Sequence, residues 1–392
     1  MRKLFHGLAL VVLILFTVAA TVLVMNRIGG SYEQDPVAQK VAQAAGVIDT
    51  VFVGEHDETQ MGDAAVSAMI ASLGDRWSYY ISAEDYAAYE AQMTNSYVGI
   101  GITIQTQMEE QGLLVVDVTP GGPAQTAGIQ AGDILTAVEG QPVVELGREQ
   151  TVAQVRGEPG TEVQLTLLRG TESYTCAPVR EKVQEIVVES KQLAGDVGYI
   201  AIDNFDLNSA EQTIAAIDAL VDAGVKSLLF DVRNNPGGMK DELVEILDYL
   251  LPDGQPVFTS KSYTGQTVTD YTEDGHAVDL PMAVLVNADS YSAAEFFAAA
   301  LQELGAAQVV GEPTVGKGYF QITYPLSDGS AIAISSGEYF TPSGVSLANV
   351  GITPDEVVVL SDEANSALYL GALSEADDTQ LQAAIARLTD GK

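Results

Sequence analysis

The chain has 392 residues, with 54 Asp+Glu against 18 Lys+Arg and a formal net charge of −36. Its length predicts two or three domains, and 47% hydrophobic residues supply enough core to exclude a disordered acidic tail. The charge excludes nucleic acid and anionic membrane surfaces as partners, because both select basic patches. A single cysteine, Cys176, excludes an intramolecular disulfide framework and a cysteine-rich metal site. His6, His56 and His276 are the whole supply of imidazole.

Arg2 and Lys3 precede an uncharged apolar run, residues 8–25. At helical rise its 18 residues reach roughly 27 Å, enough to span a bilayer with flanking help. The positive residues before it keep the N-terminus in the cytoplasm and send the rest outside. A cleaved secretory signal is the rival, but the run exceeds a usual signal core and no Ala-x-Ala site follows. An uncleaved signal anchor is the expectation, and it removes His6 from any catalytic account.

Residues 31–95 read as helical and rich in small residues, with apolar positions at three-to-four spacing. They ask for no chemistry, and His56 there reads as a solvated loop residue. Residues 96–180 change character: short β-rich runs (YVGIGITIQT, GLLVVDVTPGG, GDILTAVEGQPV, EVQLTLLRG) alternate with Gly and Pro, as in a small, mostly β module. Beyond it, apolar strands such as KSLLF and MAVLV alternate with helical stretches such as SAEQTIAAIDALVDAG and AAEFFAAALQEL. That alternation predicts βαβ units around a largely parallel sheet covered on both faces. The tail, DTQLQAAIARL, reads as an amphipathic C-terminal helix.

Active sites in such sheets lie where strands hand over to helices at their C-terminal ends. Two handovers stand out, DVRNNPGG at 231–238 and NADSYSAAE at 287–295. Ser292 has two readings. With Glu295 it forms a capping box and needs no catalysis to explain it. Alternatively, a helix start presents its hydroxyl beside free backbone N–H groups, and the amides of Ala293 and of a glycine from PGG form an oxyanion hole. A serine nucleophile needs a base. His276, the only histidine of the α/β half, lies in a polar stretch that reads as a surface hairpin, so a serine–histidine–aspartate triad is poorly supplied. Lysine is the other recognised base, provided its pKa is lowered enough to leave it neutral. Lys317 sits in an uncharged setting, PTVGKGYFQITY. It reads either as that base or as a strand-end lysine. Gln321 falls on the same face of an extended strand but roughly 13 Å away, so contact with Lys317 requires a kink, expected at Gly318.

Taken in order, these segments resemble the carboxyl-terminal processing peptidases, a family of membrane-anchored or secreted serine endopeptidases carrying a PDZ domain. The resemblance spans residues 74–388. It rests on GIGI at 99–102, GGPAQTAGIQAGDILTAVEGQPV at 121–143, VRGEPGT at 155–161, DVRNNPGG at 231–238, SYSAAE at 290–295, VGEPTVGKGYFQ at 310–321 and YFTPSGVSLANVGITPDEVV at 339–358. It implies Ser292 as nucleophile, Lys317 as general base, Gln321 as the group orienting the lysine amine, and Ala293 with Gly237 or Gly238 as oxyanion donors. The family serine is usually flanked by small residues. Tyr291 departs from that, narrowing the approach while leaving the three side chains intact. The β module resembles a PDZ domain, which implies Gly99, Ile100, Gly101 and Ile102 as the carboxylate-binding loop and β-augmentation by a substrate C-terminus. Arg156 is a surface arginine, a peptide sensor or a brace between the PDZ domain and the core.

The expected fold is thus an α/β core (a crotonase-like ββα/βαβ sheet with helices) with an inserted PDZ domain, an N-terminal helical segment and one transmembrane helix. The expected boundaries are 1–30 for the cytoplasmic stub and anchor, 31–95 for the helical region, 96–180 for the PDZ domain and 181–392 for the core. The expected activity is ATP-independent cleavage of C-terminal regions of extracytoplasmic proteins, with no metal or other cofactor, by an enzyme of the cell membrane. Its expected partners are peptides and proteins with free C-termini and the membrane through its N-terminal helix. A homo-oligomer or a regulatory adaptor remains open. The alternative is a catalytically silent, membrane-tethered PDZ adaptor; a trypsin-like protease with a PDZ domain fails on the histidines and on the βαβ pattern.

Overall fold

The computed structural model describes residues 35–105 and 111–389. The apolar run at 8–25 and His6 lie outside them. Among the described residues, no helix is long and apolar enough to cross a membrane. By contacts the chain forms two units, residues up to 86 together with 320–336, and residues 87–319 together with 337–392.

The larger unit is organised around a six-stranded sheet: Val188–Leu193, Val197–Ile202, Ser227–Asp231, Met282–Val286, Ala307–Gly311 and Glu356–Val357. The first pair is antiparallel and every later pair parallel, the arrangement that apolar strands alternating with helices require. Ser227–Asp231 and Met282–Val286 are buried along their whole length, because both faces are covered. Alternation along the strands divides the core in two. Leu228, Phe230, Val284 and Val286 pack with the helices Ser209–Asp222, Lys240–Leu250 and Ala293–Glu303. Leu229, Ala283 and Leu285 face the C-terminal helix Thr379–Thr389 through Leu381, Ala384 and Leu388. That helix is amphipathic as its sequence predicts. It is tied down by Arg233, which is 2% exposed and bonds Asp231 at 2.6 Å and Asp378 at 2.8 Å.

In the same unit, Ile102–Ile104, Leu113–Val118, Ile134–Val138, Leu165–Arg169 and Glu172–Cys176 form an antiparallel sheet. It has its own core, including Ile100, Leu113, Val115, Leu135, Val138 and Leu167, closed by the helix Val143–Val155. The strands that lead into and out of this module, Ser96–Gly99 and Glu181–Gln184, pair with each other, so the module is held at one neck.

The smaller unit corrects the all-helical expectation for residues 31–95. After the helices Pro36–Val51 and Glu58–Ala71 comes a strand, Tyr79–Ile81, paired antiparallel with Ala331–Ala333 of the strand Ala331–Phe340. Its partner lies about 250 positions away, beyond the reach of local periodicity. His56 lies in an exposed loop, 3.6 Å from Asp49. His276 is also exposed but not in a hairpin. The hairpin is formed by Pro256–Ser262 and Thr267–Tyr271, and His276 follows it in a loop, stacked on Tyr249 with its Nδ1 2.6 Å from the Tyr249 carbonyl oxygen.

Candidate active site

The two predicted handovers come together at the C-terminal edge of the parallel sheet. Asn234 N–H donates to Asn287 Oδ1 at 2.9 Å, Asn287 Nδ2 donates to Asn234 Oδ1 at 2.7 Å, and Ser290 Oγ donates to the Val232 carbonyl at 2.7 Å. Tyr291 N–H donates to the Asn235 carbonyl at 3.1 Å. The two loops are therefore one polar assembly, and Ser292 emerges from it at the start of Ala293–Glu303.

Ser292 is 8% exposed and has φ 59°, ψ −124°. An ordinary N-cap lies in the β region, whereas a non-glycine residue here stores about 1–3 kcal/mol of backbone strain, the kind of outlier that collects at functional sites. Gly237 lies directly against it: a Cβ built on Gly237 comes 2.7 Å from Ser292 Cβ and 2.8 Å from the Ala293 nitrogen. The backbone around Gly237 is fixed from the other side. Phe205 N–H donates to the Gly237 carbonyl at 2.8 Å and Met239 N–H to the Phe205 carbonyl at 2.7 Å. In that parallel bridge Gly238 turns its own N–H and carbonyl away from Phe205. The Gly237 N–H is taken by Asn235 Oδ1 at 2.8 Å. Among the described residues, neither Gly238 N–H nor Ala293 N–H has an acceptor, so these are the two amides with a hydrogen bond to give.

Lys317 stands outside the strand Tyr319–Pro325, which begins two residues later. The left-handed residue of the turn is Gly316, φ +84°, not Gly318. Gly318 instead packs so closely on Ala348 that a Cβ would lie 2.4 Å from its nitrogen. The Lys317 ammonium lies 5.5 Å from the centre of the Tyr291 ring, within cation–π range. Gln321 belongs to the smaller unit, where its Nε2 donates to Ser335 Oγ at 3.1 Å.

One residue that sequence spacing assigns only to a cap organises the site. Glu295 is fully buried. Its Oε2 accepts the backbone N–H groups of Ser292 at 2.9 Å and Lys317 at 2.8 Å. Its Oε1 accepts the N–H of Gly316 at 2.7 Å and the Thr314 hydroxyl. The carboxylate thus ties the serine turn to the lysine segment. Nothing in the local pattern could reveal partners 19 to 22 positions away.

In the β module, a groove of about 260 Å³ runs between Ile102–Ile104 and the helix Val143–Val155, floored by Leu135, Val152 and Val155. The backbone of Gly99, Ile100, Gly101 and Ile102 turns at its end, with Gly101 at φ +74° and the Ile100 side chain buried in the module core. Ile100 therefore offers a ligand its backbone, not its side chain. Arg156 is half-exposed, stacks on Tyr97 at 4.7 Å and approaches Glu185 at 3.4 Å. Both contacts are to the neck of the module, and the same side chain lines the groove. Among the described residues no cluster of His, Cys, Asp and Glu is arranged to hold a metal ion.

Comparison with known proteins gives this arrangement a context. The model of peptidase family S41 matches residues 196–358 and that of the PDZ domain residues 90–168. A protein of Staphylococcus aureus described as "Probable CtpA-like serine protease" is 30% identical over 345 residues, covering 87% of this chain and 69% of the relative. One of the same description from Staphylococcus haemolyticus is 30% identical over 342 residues, covering 86% and 68%. Among solved structures, a protein of Bacteroides fragilis described as "Putative S41 protease" superposes with a TM-score of 0.52 at 18% identity, over 88% of this chain and 94% of that one; this likeness speaks to the fold.

Proposed function

The chain belongs to peptidase family S41, as a CtpA-like serine protease with a PDZ domain, and from that premise we propose that Ser292, Lys317 and Gln321 form its catalytic site. Lys317 Nζ, in its neutral form, takes the proton of Ser292 Oγ as that oxygen attacks the scissile carbonyl carbon. The oxyanion is held by the N–H groups of Ala293 and Gly238, since the Gly237 N–H is already spent on Asn235. The lysine then returns the proton to the departing amine, leaving an acyl-enzyme on Ser292 that water hydrolyses. Gln321 orients the lysine amine.

The observation that carries this reading is the Glu295 carboxylate, which binds the backbone amides of Ser292 and Lys317 through the same oxygen. A serine that merely capped a helix would need only its own turn. Two further parts belong to the proposal. The groove beside residues 99–102 captures the C-terminal tail of a protein substrate, with its carboxylate on the backbone N–H groups of that turn. The apolar run at 8–25 anchors the chain in the cell membrane with its catalytic part outside the cytoplasm.

The test is proteolysis of a protein with an unfolded, apolar C-terminus by the parent chain, Ser292→Ala and Lys317→Ala. Both substitutions are expected to reduce cleavage by at least about 10³-fold. Undiminished cleavage by either variant refutes the Ser–Lys mechanism. Binding of the tail without cleavage by the parent would instead leave a silent PDZ adaptor.

A further inference from the structure

We propose that Arg148 is a specificity-determining residue of the groove in the β module, selecting tails that carry an Asp or Glu two residues before the C-terminal carboxylate. This rests on the reading of that groove as a tail-capture site and names the class of tail it takes.

The walls of the groove fix where a tail lies. Ile102–Ile104 is the end strand of its sheet, the position at which an extended peptide adds as a further strand. Arg156 follows the last turn of the helix Val143–Val155 and stacks on Tyr97, two residues before Gly99. The C-terminal end of the helix therefore stands beside the carboxylate turn. At Gly147 the helix breaks, with φ 75° and ψ 168°, and helical backbone resumes at Arg148. The buried Thr151 closes this new first turn by donating its hydroxyl to the Gly147 carbonyl at 2.7 Å. Arg148, Val152 and Val155 follow at i, i+4 and i+7, which is one helix face, and all three line the groove.

Spacing decides which tail residue meets Arg148. Val152 and Val155, with Leu135 below them, form an apolar seat for the last side chain of the tail. From the middle of that seat back to Arg148 the helix spans about 8 Å. An added strand advances about 7 Å in two residues and turns every second side chain to the same face. The side chain two before the end therefore arrives at Arg148, while the one between them faces away. Charge decides its chemistry. Every other described arginine has a partner: a carboxylate for Arg169, Arg233 and Arg387, backbone carbonyls for Arg180, and an aromatic ring for Arg76 and Arg156. Arg148 is exposed and has none among the described residues, in a chain with 54 acidic residues to 18 basic ones. Glu185 is the only carboxylate among the residues lining the groove, and it lies 3.4 Å from Arg156 at the opposite end. An acidic side chain of the tail supplies Arg148 with the charge-assisted pair that the protein itself withholds.

The experiment is fluorescence titration of the full chain carrying Ser292→Ala, in detergent, with labelled peptides that end in valine and differ only two residues earlier, in Glu, Gln or Lys. Ser292→Ala keeps the peptides intact and lies outside the β module. The Glu peptide is expected to bind about 5-fold more tightly than the Gln peptide. Adding Arg148→Gln should bring these two level, and adding Arg148→Glu should turn the preference toward the Lys peptide. The net charge of −36 disfavours the Glu peptide, so a preference for it reports a cation in the groove. Equal affinity for Glu and Gln peptides with Arg148 in place, or a preference that survives Arg148→Gln, overturns the proposal. A Glu peptide with an amidated C-terminus tells this failure from that of tail capture. If it binds as tightly as the free acid, or if no peptide binds, the groove is not a tail site and the proposal falls with that reading. Carboxylate-dependent binding without a Glu preference removes only the role of Arg148.

Discussion

Replacing Glu295 by glutamine exchanges one carboxylate oxygen for an NH2 group and tests the central tie of the site. All four groups on the Glu295 carboxylate are donors: the N–H groups of Ser292, Gly316 and Lys317 and the Thr314 hydroxyl. A glutamine must present its NH2 to two of them. Its least costly orientation keeps the amide oxygen on Ser292 and Lys317 and turns Nε2 toward Thr314 and Gly316. The Thr314 oxygen already accepts from the Ile352 N–H and has a second lone pair to offer, so the Gly316 N–H is the group left unpaired. Losing charge assistance on two bonds and orphaning one buried N–H sums to about 3–5 kcal/mol. In a unit of this size that is a fall in Tm of about 10 °C. The Ser292 and Lys317 segments also lose their common anchor, and misplacement of reacting groups by about 1 Å costs roughly 10²-fold in kcat. Thermal unfolding and proteolysis of Glu295→Gln measure both effects. A variant that melts within a degree of the parent and cuts at the parent's rate would refute the assignment.

Gly237→Ala adds a methyl group 2.7 Å from Ser292 Cβ at φ +89°; it is expected to abolish proteolysis by displacing Ser292 while leaving tail binding in the β module intact, as measured by fluorescence titration with a labelled peptide. Arg233→Met strips the counter-charge from Asp231 and Asp378, both under a tenth exposed. It is expected to cost about 3–5 kcal/mol and to accelerate hydrogen exchange of Thr379–Thr389 ahead of the rest of the sheet. Asp206 makes stability pH-dependent. Its carboxyl titrates near 7 in the folded protein against 3.8 for the ordinary side chain, so the folded state holds a proton that the unfolded state has lost. Stability is then fully present below about pH 4 and falls as pH rises toward 7, by at most about 4 kcal/mol. Urea unfolding of Asp206→Asn across that range should show this slope removed.

The parallel sheet and its two strand-to-helix handovers were legible because continuous apolar runs, helical spacing and Pro-Gly-Gly punctuation are local properties. The features that remained hidden depend on distant partners. Glu295 at N3 of a helix gives the same pattern whether it closes a cap or reaches Thr314 and Lys317. Which glycine amide is spent depends on the Asn235 side chain, which folds back on Gly237, and no local pattern encodes that. Tyr79–Ile81 reads as part of a helical region because its strand partner lies beyond residue 330. Gly316, before Lys317, takes the left-handed conformation, and Gly318 is glycine because Ala348 leaves no room for a Cβ there.

The acid excess and the choice of lysine pull against each other, and salt can separate their effects. A net charge of −36 surrounds every lysine with a negative potential that favours its charged form, although a base must be neutral. The surface part of that potential is screened as the Debye length falls from about 30 Å at 0.01 M to about 3 Å at 1 M ionic strength. Raising salt should therefore move the acid limb of kcat/KM for the parent chain to lower pH. A limb that stays in place between about 0.01 M and about 1 M ionic strength would refute a role for the surface charge in holding Lys317 protonated.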